Sequence, residues 1–220
     1  MDIVIAGGHG KVALHLEALL VARGDHVRAL IRNPDHAPDL KTIGAEPVLC
    51  DLEALSALEI ADVVGRTDAF VFAAGAGPGS GPQRKWTMDY AGAVKAMEAC
   101  RRNAVDRYIT VSSMGADAEA PDDGGFGTYL RAKGQADKKL VESGLAYTIV
   151  RPGSLTDEPP AGRVNAAEHT GRGEIPRADV AAVLAEVLHT PGTERLIFEV
   201  VGGDTPIPEA IAALTARARA

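Results

Sequence analysis

The sequence predicts an α/β fold: a single doubly wound parallel sheet with helices on both faces. Three observations carry this. Short β-branched runs alternate with longer amphipathic stretches along the whole chain. The first run, Ile3-Val4-Ile5, leads straight into the glycine-rich turn Gly7-Gly8-His9-Gly10. Val12, Leu16, Leu19 and Ala22 then continue at helical spacing. In chain order the strands are expected over residues 2–6, 26–31, 47–50, 69–73, 107–112, 147–151 and 196–201, each a short run in which Val, Ile, Leu or Phe recurs. Helices are expected over 11–23, 55–64, 84–103, 128–143, 177–189 and 208–218, where apolar residues recur on one face. Gly24, Gly144 and Gly192 stand where helix C-terminal caps are expected. Two stretches, 75–82 and 156–174, read as irregular loops rich in Gly and Pro, and both follow strands.

The chain has 220 residues, which suits one domain over 1–220, with small substrate-side elements from about 152 onward. No internal repeat divides it. With aromatics at only 4%, the core must be built from Val, Leu, Ile and Ala. The net charge of −7 and the lack of a basic stripe argue against nucleic acid or an anionic membrane as partner. No run reaches the ~18 uninterrupted apolar residues of a membrane span, and Asp2 with the early glycines breaks the pattern of a signal peptide. Cys50 and Cys100 form no metal-like or CxxC cluster and read as buried, reduced thiols, so a cytoplasmic protein is expected.

Ligands of such sheets bind at the carboxyl ends of the strands. A helix that opens at Lys11 and Val12 aims unpaired N–H groups and its positive dipole end into the turn of Gly7, Gly8, His9 and Gly10, which suits a pyrophosphate. A Rossmann-type dinucleotide site follows from that strand–turn–helix context. Farther on, Tyr129 and Lys133 are four residues apart, on one helix face. A fixed ammonium stabilises phenolate and makes the tyrosine a credible proton donor to a developing alkoxide. Taken alone, such a pair is ordinarily a solvated helix face. Ser112 and Ser113 close the fifth strand and bring two hydroxyls to the ligand edge, to hold a carbonyl or simply to satisfy the strand end.

These motifs resemble the short-chain dehydrogenase/reductase superfamily, in particular its compact atypical NAD(P)H-binding branch with the NmrA-like and flavin- or biliverdin-reductase-like proteins. The resemblance covers essentially the whole length and rests on the turn through Ala13, Asp51-Leu52, Ala73-Ala74-Gly75, Val111-Ser112-Ser113, Tyr129 with Lys133, residues 148–153 and residues 177–181. It implies Gly7 and Gly10 as phosphate-turn glycines, with Ala13 in place of the third. It implies Tyr129 as general acid/base, Lys133 on the nicotinamide ribose, and Ser113 polarising the carbonyl with Ser112 as understudy. Asp51 would accept from the adenine amino group beside Leu52. Ala73, Ala74 and Gly75 would pass under the adenosine, and Pro152 and Gly153 would line the nicotinamide side.

The end of the second strand carries Arg32 rather than a carboxylate, and a guanidinium there can pair with a 2′-phosphate, so NADP(H) is expected over NAD(H). The resulting expectation is an NADPH-dependent oxidoreductase passing hydride to a small carbonyl, quinone or flavin, as a monomer or homodimer. A non-catalytic NADP(H) sensor and a sugar-nucleotide epimerase or dehydratase are the alternatives. The remaining histidines (His15, His26, His36, His169 and His189) show no ligand spacing and read as structural, with His169, in the substrate-side loop, a mild exception; Trp86 reads as a packing anchor.

Overall fold

The computed structural model describes residues 1–77 and 79–218. Strand β1 (Asp2–Ala6) leads into α1 (Lys11–Ala22), β2 (His26–Ile31), a single 3-10 turn (Pro34–His36), α2 (Ala37–Ile43) and β3 (Glu46–Leu49). Next come α3 (Ala57–Val64) and β4 (Ala69–Phe72). A composite helix follows. It starts as α4 (Pro82–Arg84), widens through a π-helical stretch (Lys85–Gly92) and ends as α5 (Ala93–Arg102). Then come β5 (Arg107–Val111), α6 (Phe126–Glu142) and β6 (Ala146–Pro152). The last part comprises β7 (Ser154–Thr156), β8 (Arg163–Ala167), β9 (Glu174–Pro176), α7 (Arg177–His189), β10 (Leu196–Gly202), β11 (Thr205–Pro206) and α8 (Ile207–Ala218).

The main sheet has the order β11-β8-β10-β6-β5-β4-β1-β2-β3. From β3 to β10 every neighbouring pair is parallel, and β8 and β11 add an antiparallel edge. Strand alternation sends Ile3 and Ile5 to one face and Val4 and Ala6 to the other. On the first face they meet Leu16 and Leu20 of α1, Leu184 of α7 and Ile211 of α8. On the second they meet Ile60 of α3, Met97 of α5 and Leu140 of α6. The parallel sheet is thus covered on both sides, as crossover helices require. No described helix is long and apolar enough to cross a membrane.

The seven expected strands and six expected helices are present, most with ends within two residues. Two expectations are corrected and one helix is added. Residues 156–174 are not merely a loop, because β8 lies within them and extends the sheet antiparallel to β10. Its Arg163-Val164-Asn165-Ala166-Ala167 has one apolar residue fully inside, too weak a period to read. Helix α2 was not anticipated: Pro38 and Asp39 obscure it, and its seven residues carry one buried side chain, Leu40. Gly192 is not the cap of α7, which ends on an extended Thr190. Gly24 and Gly144 do follow α1 and α6 in the left-handed conformation, at φ +87° and +82°. Of the loop over 75–82, Pro78 lies outside the described residues and Pro82 already begins α4.

One buried group opposes this packing. Glu17 lies on the buried stripe of α1 with Ala13, Leu16 and Leu20, and α1 packs on α7. It is fully buried, and neither carboxylate oxygen has a hydrogen-bond partner among the described residues. Burial pushes its carboxyl from the ordinary 4.5 up to about 8. Folding therefore takes up a proton between those values, so stability falls as pH rises from about 4.5 to about 8 and levels off above. The loss across that window is roughly 3–5 kcal/mol. Glu17→Met is expected to raise the melting temperature more at pH 8.5 than at pH 5, by on the order of 10 °C. Equal shifts at both pH values in thermal scans would show that the carboxylate finds a partner in solution.

Candidate active site

A cleft of about 980 Å³ opens at the carboxyl ends of the parallel strands. It lies where the sheet order reverses, between β1 and β4, the position at which open α/β sheets bind ligands. Its floor is the turn after β1. Gly7 has φ +81°, and a Cβ there would lie 2.6 Å from the Ala74 Cα, so only glycine lets this turn rest on the chain leaving β4. Gly10 N–H donates to the Gly7 carbonyl at 2.8 Å and closes the turn at the start of α1. Gly8 has a different duty. Its N–H donates to the Leu30 carbonyl at 3.0 Å, its missing Cβ would press on Ala29, and it does not line the cleft.

At the β2–β3 end the cleft is lined by Arg32, Asp51 and Leu52. Arg32 Nη1 is 3.3 Å from Glu53 Oε2, which Arg84 Nε also reaches at 3.1 Å, and Thr87 Oγ1 donates to Oε1 at 2.7 Å. The local sequence around Arg32 gave no sign of this carboxylate, because Glu53 arrives from the loop after β3. One oxygen of Asp51 accepts from the Glu53 and Ala54 N–H groups at 2.9 and 3.3 Å and shapes that loop. His9 and His36 also line the cleft, with rings stacked at 3.7 Å, and His9 meets Asp39 at 2.8 Å. His36, read above as structural, lines the cleft because the 3-10 turn brings it there. Cys50 lines the cleft as a free thiol that burial pushes up to about 11, while Cys100 is buried elsewhere.

At the other end α6 presents Tyr129 and Lys133, and both line the cleft. Lys133 is 5% exposed. Its Nζ donates to the Val111 carbonyl at 3.0 Å and faces Asp89 Oδ1 at 3.5 Å, an ion-pair distance rather than a good hydrogen bond. Burial opposes its charge, but Tyr129, Asp89 and Asp137 outweigh this and raise its pKa, so it remains an ammonium. Asp89 is 1% exposed and accepts from Ala76 N–H at 3.1 Å. The π-helical stretch carries it, along with Met88 and Lys85, into the cleft. Sequence reading missed Asp89; a buried carboxylate paired with the expected lysine shows only in three dimensions.

The two serines part company. Ser112 lines the cleft, and its Oγ donates to Asp137 Oδ2 at 2.8 Å. Arg151 Nε and Nη2 reach the same oxygen at 3.0 and 2.8 Å. Ser113 does not line the cleft, and its hydroxyl donates to the Met114 carbonyl at 3.2 Å. Pro152 and Gly153 also lie outside the lining, where Leu155 and Arg177 stand instead. The other expected cofactor residues, Lys11, Val12, Ala73, Ala74 and Gly75, all line it. Lys11 Nζ and Arg177 Nη1 share Asp157, at 2.5 and 2.7 Å. Gly134, next to Lys133, allows α6 to touch the Asp117 backbone, where a Cβ would collide. Trp86 packs edge-on to Tyr90 outside the cleft, and His169 is exposed, at 81% for its side chain. Among the described residues no group of three or more His, Cys, Asp or Glu is placed to hold a metal ion.

A glycine-closed turn at a helix start, beside a cleft at the switch point, is the arrangement in which open α/β sheets bind dinucleotides. A sequence model of an NAD(P)H-binding family matches residues 7–191. The chain belongs to this NAD(P)H-binding family. A Bacillus subtilis relative, named as the uncharacterized sugar epimerase YhfK, is 39% identical over 212 residues, covering 96% of this chain and 99% of its own. A solved Bacillus halodurans structure, described as a putative NAD-dependent epimerase/dehydratase, superposes with TM-score 0.90 at 36% identity, over 97% of this chain and 99% of that one. The Lactococcus lactis oxidoreductase ylbE superposes with TM-score 0.87 at 27% identity, over 98% and 97%. These likenesses run nearly end to end, so the family assignment covers the cleft and the elements around it alike.

In this cleft, Asp89 offsets the nearly buried ammonium of Lys133. Asp89→Asn is expected to cost about 1–3 kcal/mol in urea unfolding, because Lys133 then keeps its charge without its nearest counter-charge. An unchanged midpoint would mean that the Val111 carbonyl suffices to hold the ammonium.

Proposed function

We propose that the protein is an NADPH-dependent oxidoreductase that delivers hydride to a small carbonyl, quinone or flavin acceptor. The observation that carries this reading is that Tyr129 and the buried Lys133 line the same cleft as the Gly7–Gly10 turn. The oxidoreductase name of the Lactococcus lactis neighbour supports it. The residues present fit the cofactor. The start of α1 and the close-packed turn suit a pyrophosphate. Arg32 suits a 2′-phosphate, since Glu53 is shared between two guanidiniums and leaves net positive charge there. A reduced nicotinamide bound here supplies the hydride. Tyr129 gives its proton to the acceptor oxygen as negative charge develops, and the Lys133 ammonium stabilises the phenolate left behind. Lys133 is also the residue assigned to the nicotinamide ribose hydroxyls.

Tyr129→Phe is expected to keep NADPH affinity, measured by fluorescence titration, and to lose about 100-fold or more of aldehyde and ketone reduction followed at 340 nm. Full activity in that variant would mean that acceptors are reduced without this donor. Arg32→Glu is expected to weaken NADPH about tenfold or more while changing NADH far less. Equal losses for both nucleotides would remove Arg32 from the 2′-phosphate.

The epimerase names of two relatives favour a second reading, with tightly held oxidised cofactor and sugar-nucleotide substrate. Strand β8, helix α7, strand β10 and helix α8 extend the main sheet and cover one of its faces, so these elements belong to the dinucleotide-type fold itself. Interconversion of UDP-glucose and UDP-galactose by the protein with NAD⁺ would establish that second reading.

A further inference from the structure

Six Lys and Arg side chains line the cleft: Lys11, Arg32, Arg84, Lys85, Lys133 and Arg177. Five of them have a carboxylate oxygen between 2.5 and 3.5 Å away, from Asp157, Glu53 or Asp89. Lys85 is the exception among the described residues. Its Nζ donates to the Gly77 carbonyl at 2.9 Å and lies 5.4 Å from the centre of the Tyr129 ring. A carbonyl and a π face are attractive to a cation, but neither neutralises it. Positive charge therefore stays uncompensated beside the proton donor, in a chain whose net charge is −7.

The second observation is Phe126. It begins α6, lines the same cleft and sits 5.8 Å from the Tyr129 ring, centre to centre. Yet it is 68% exposed, the most exposed large apolar side chain among the described residues. An aromatic face left open at the mouth of a ligand cleft is a stacking surface, and Leu155 adds apolar lining.

We propose that Lys85 and Phe126 form the acceptor subsite, and that the acceptor combines a flat apolar body with an anionic group. The flat body lies against Phe126, and a carboxylate, sulfonate or phosphate pairs with Lys85. This rests on the reductase reading only in placing the acceptor at Tyr129. The cofactor's own phosphates have other candidate partners, namely Arg32 and the start of α1.

The test is equilibrium binding to protein saturated with NADP⁺, using two unreactive fluorescent probes, naphthalene-2-sulfonate and 2-naphthalenemethanol. The sulfonate is expected to bind about tenfold more tightly than the alcohol. Lys85→Gln should erase that preference, Lys85→Arg should keep it, and NADP⁺ affinity should stay within about twofold in both. Phe126→Ala should weaken both probes by a similar factor. Equal affinities in the unmodified protein, or a sulfonate preference surviving in Lys85→Gln, would overturn the proposal. So would a large loss of NADP⁺ affinity in Lys85→Gln, which would assign Lys85 to the cofactor. Failure of the reductase reading looks different: the sulfonate preference would persist while no acceptor drove NADPH oxidation.

Discussion

The site depends on one close approach, the turn after β1 lying on the chain that leaves β4. Because Gly7 has no side chain, its backbone rests against Ala73 and Ala74, and this fixes the separation of the two strand ends at the point where the sheet order reverses. The start of α1 is set by the same contact through the Gly10–Gly7 hydrogen bond. From there α1 buries Leu16 and Leu20 in the core on one face, and a tilt in the turn would be transmitted along it into α7. Glycine costs conformational entropy on folding. Here it permits a backbone geometry that no side chain would allow, and the cleft is the space this geometry leaves.

Within that space, charge is arranged in pairs that reach across sequence. Glu53 from the β3 loop ties Arg32 to Arg84, Asp157 after β7 ties Lys11 to Arg177, and Asp89 in the π-helical stretch faces Lys133. The Glu53 and Asp157 ties run from loops to other elements, whereas the π-helical stretch and α6 that carry Asp89 and Lys133 also pack against each other. Those at the surface contribute little to stability and are weakened by salt. The Lys133 pair is different because both members are nearly sequestered from water, so their mutual attraction is little screened by salt.

What could be read in advance follows from how local the cause is. The bounds of β1, β2 and α7 are legible because an apolar run or period and a glycine or proline stand next to each other in sequence. The turn and the Tyr129/Lys133 face are equally local. Strand β8 escapes because its single fully buried residue, Val164, gives no period, and its pairing with β10 forms only in the sheet. Glu53, Asp89 and Asp157 escape because nothing near them in sequence marks them as partners of cations 21, 44 and 146 residues away. Ser112 and Ser113 are adjacent, and a strand sends neighbouring side chains to opposite sides, so which one meets the cleft is a matter of register.

That register limits the chemistry. Ser112 is the serine on the cleft, and its hydroxyl hydrogen is directed to Asp137. Burial raises the Asp137 pKa, while Arg151, donating from two nitrogens to the same oxygen, works against that rise and favours the carboxylate. A hydroxyl whose hydrogen is held by a carboxylate has only lone pairs left to offer. Ser112 can then accept from an N–H or O–H of a ligand, but it cannot polarise a carbonyl oxygen by donating to it. Ser113, turned to the Met114 carbonyl, is away from the cleft and cannot take over. In the proposed reduction, stabilisation of a developing oxyanion would fall to Tyr129, with the ammonium of Lys133 behind it. A single donor suits acceptors whose reduced form spreads its charge over a conjugated system better than simple ketones, which concentrate it on one oxygen.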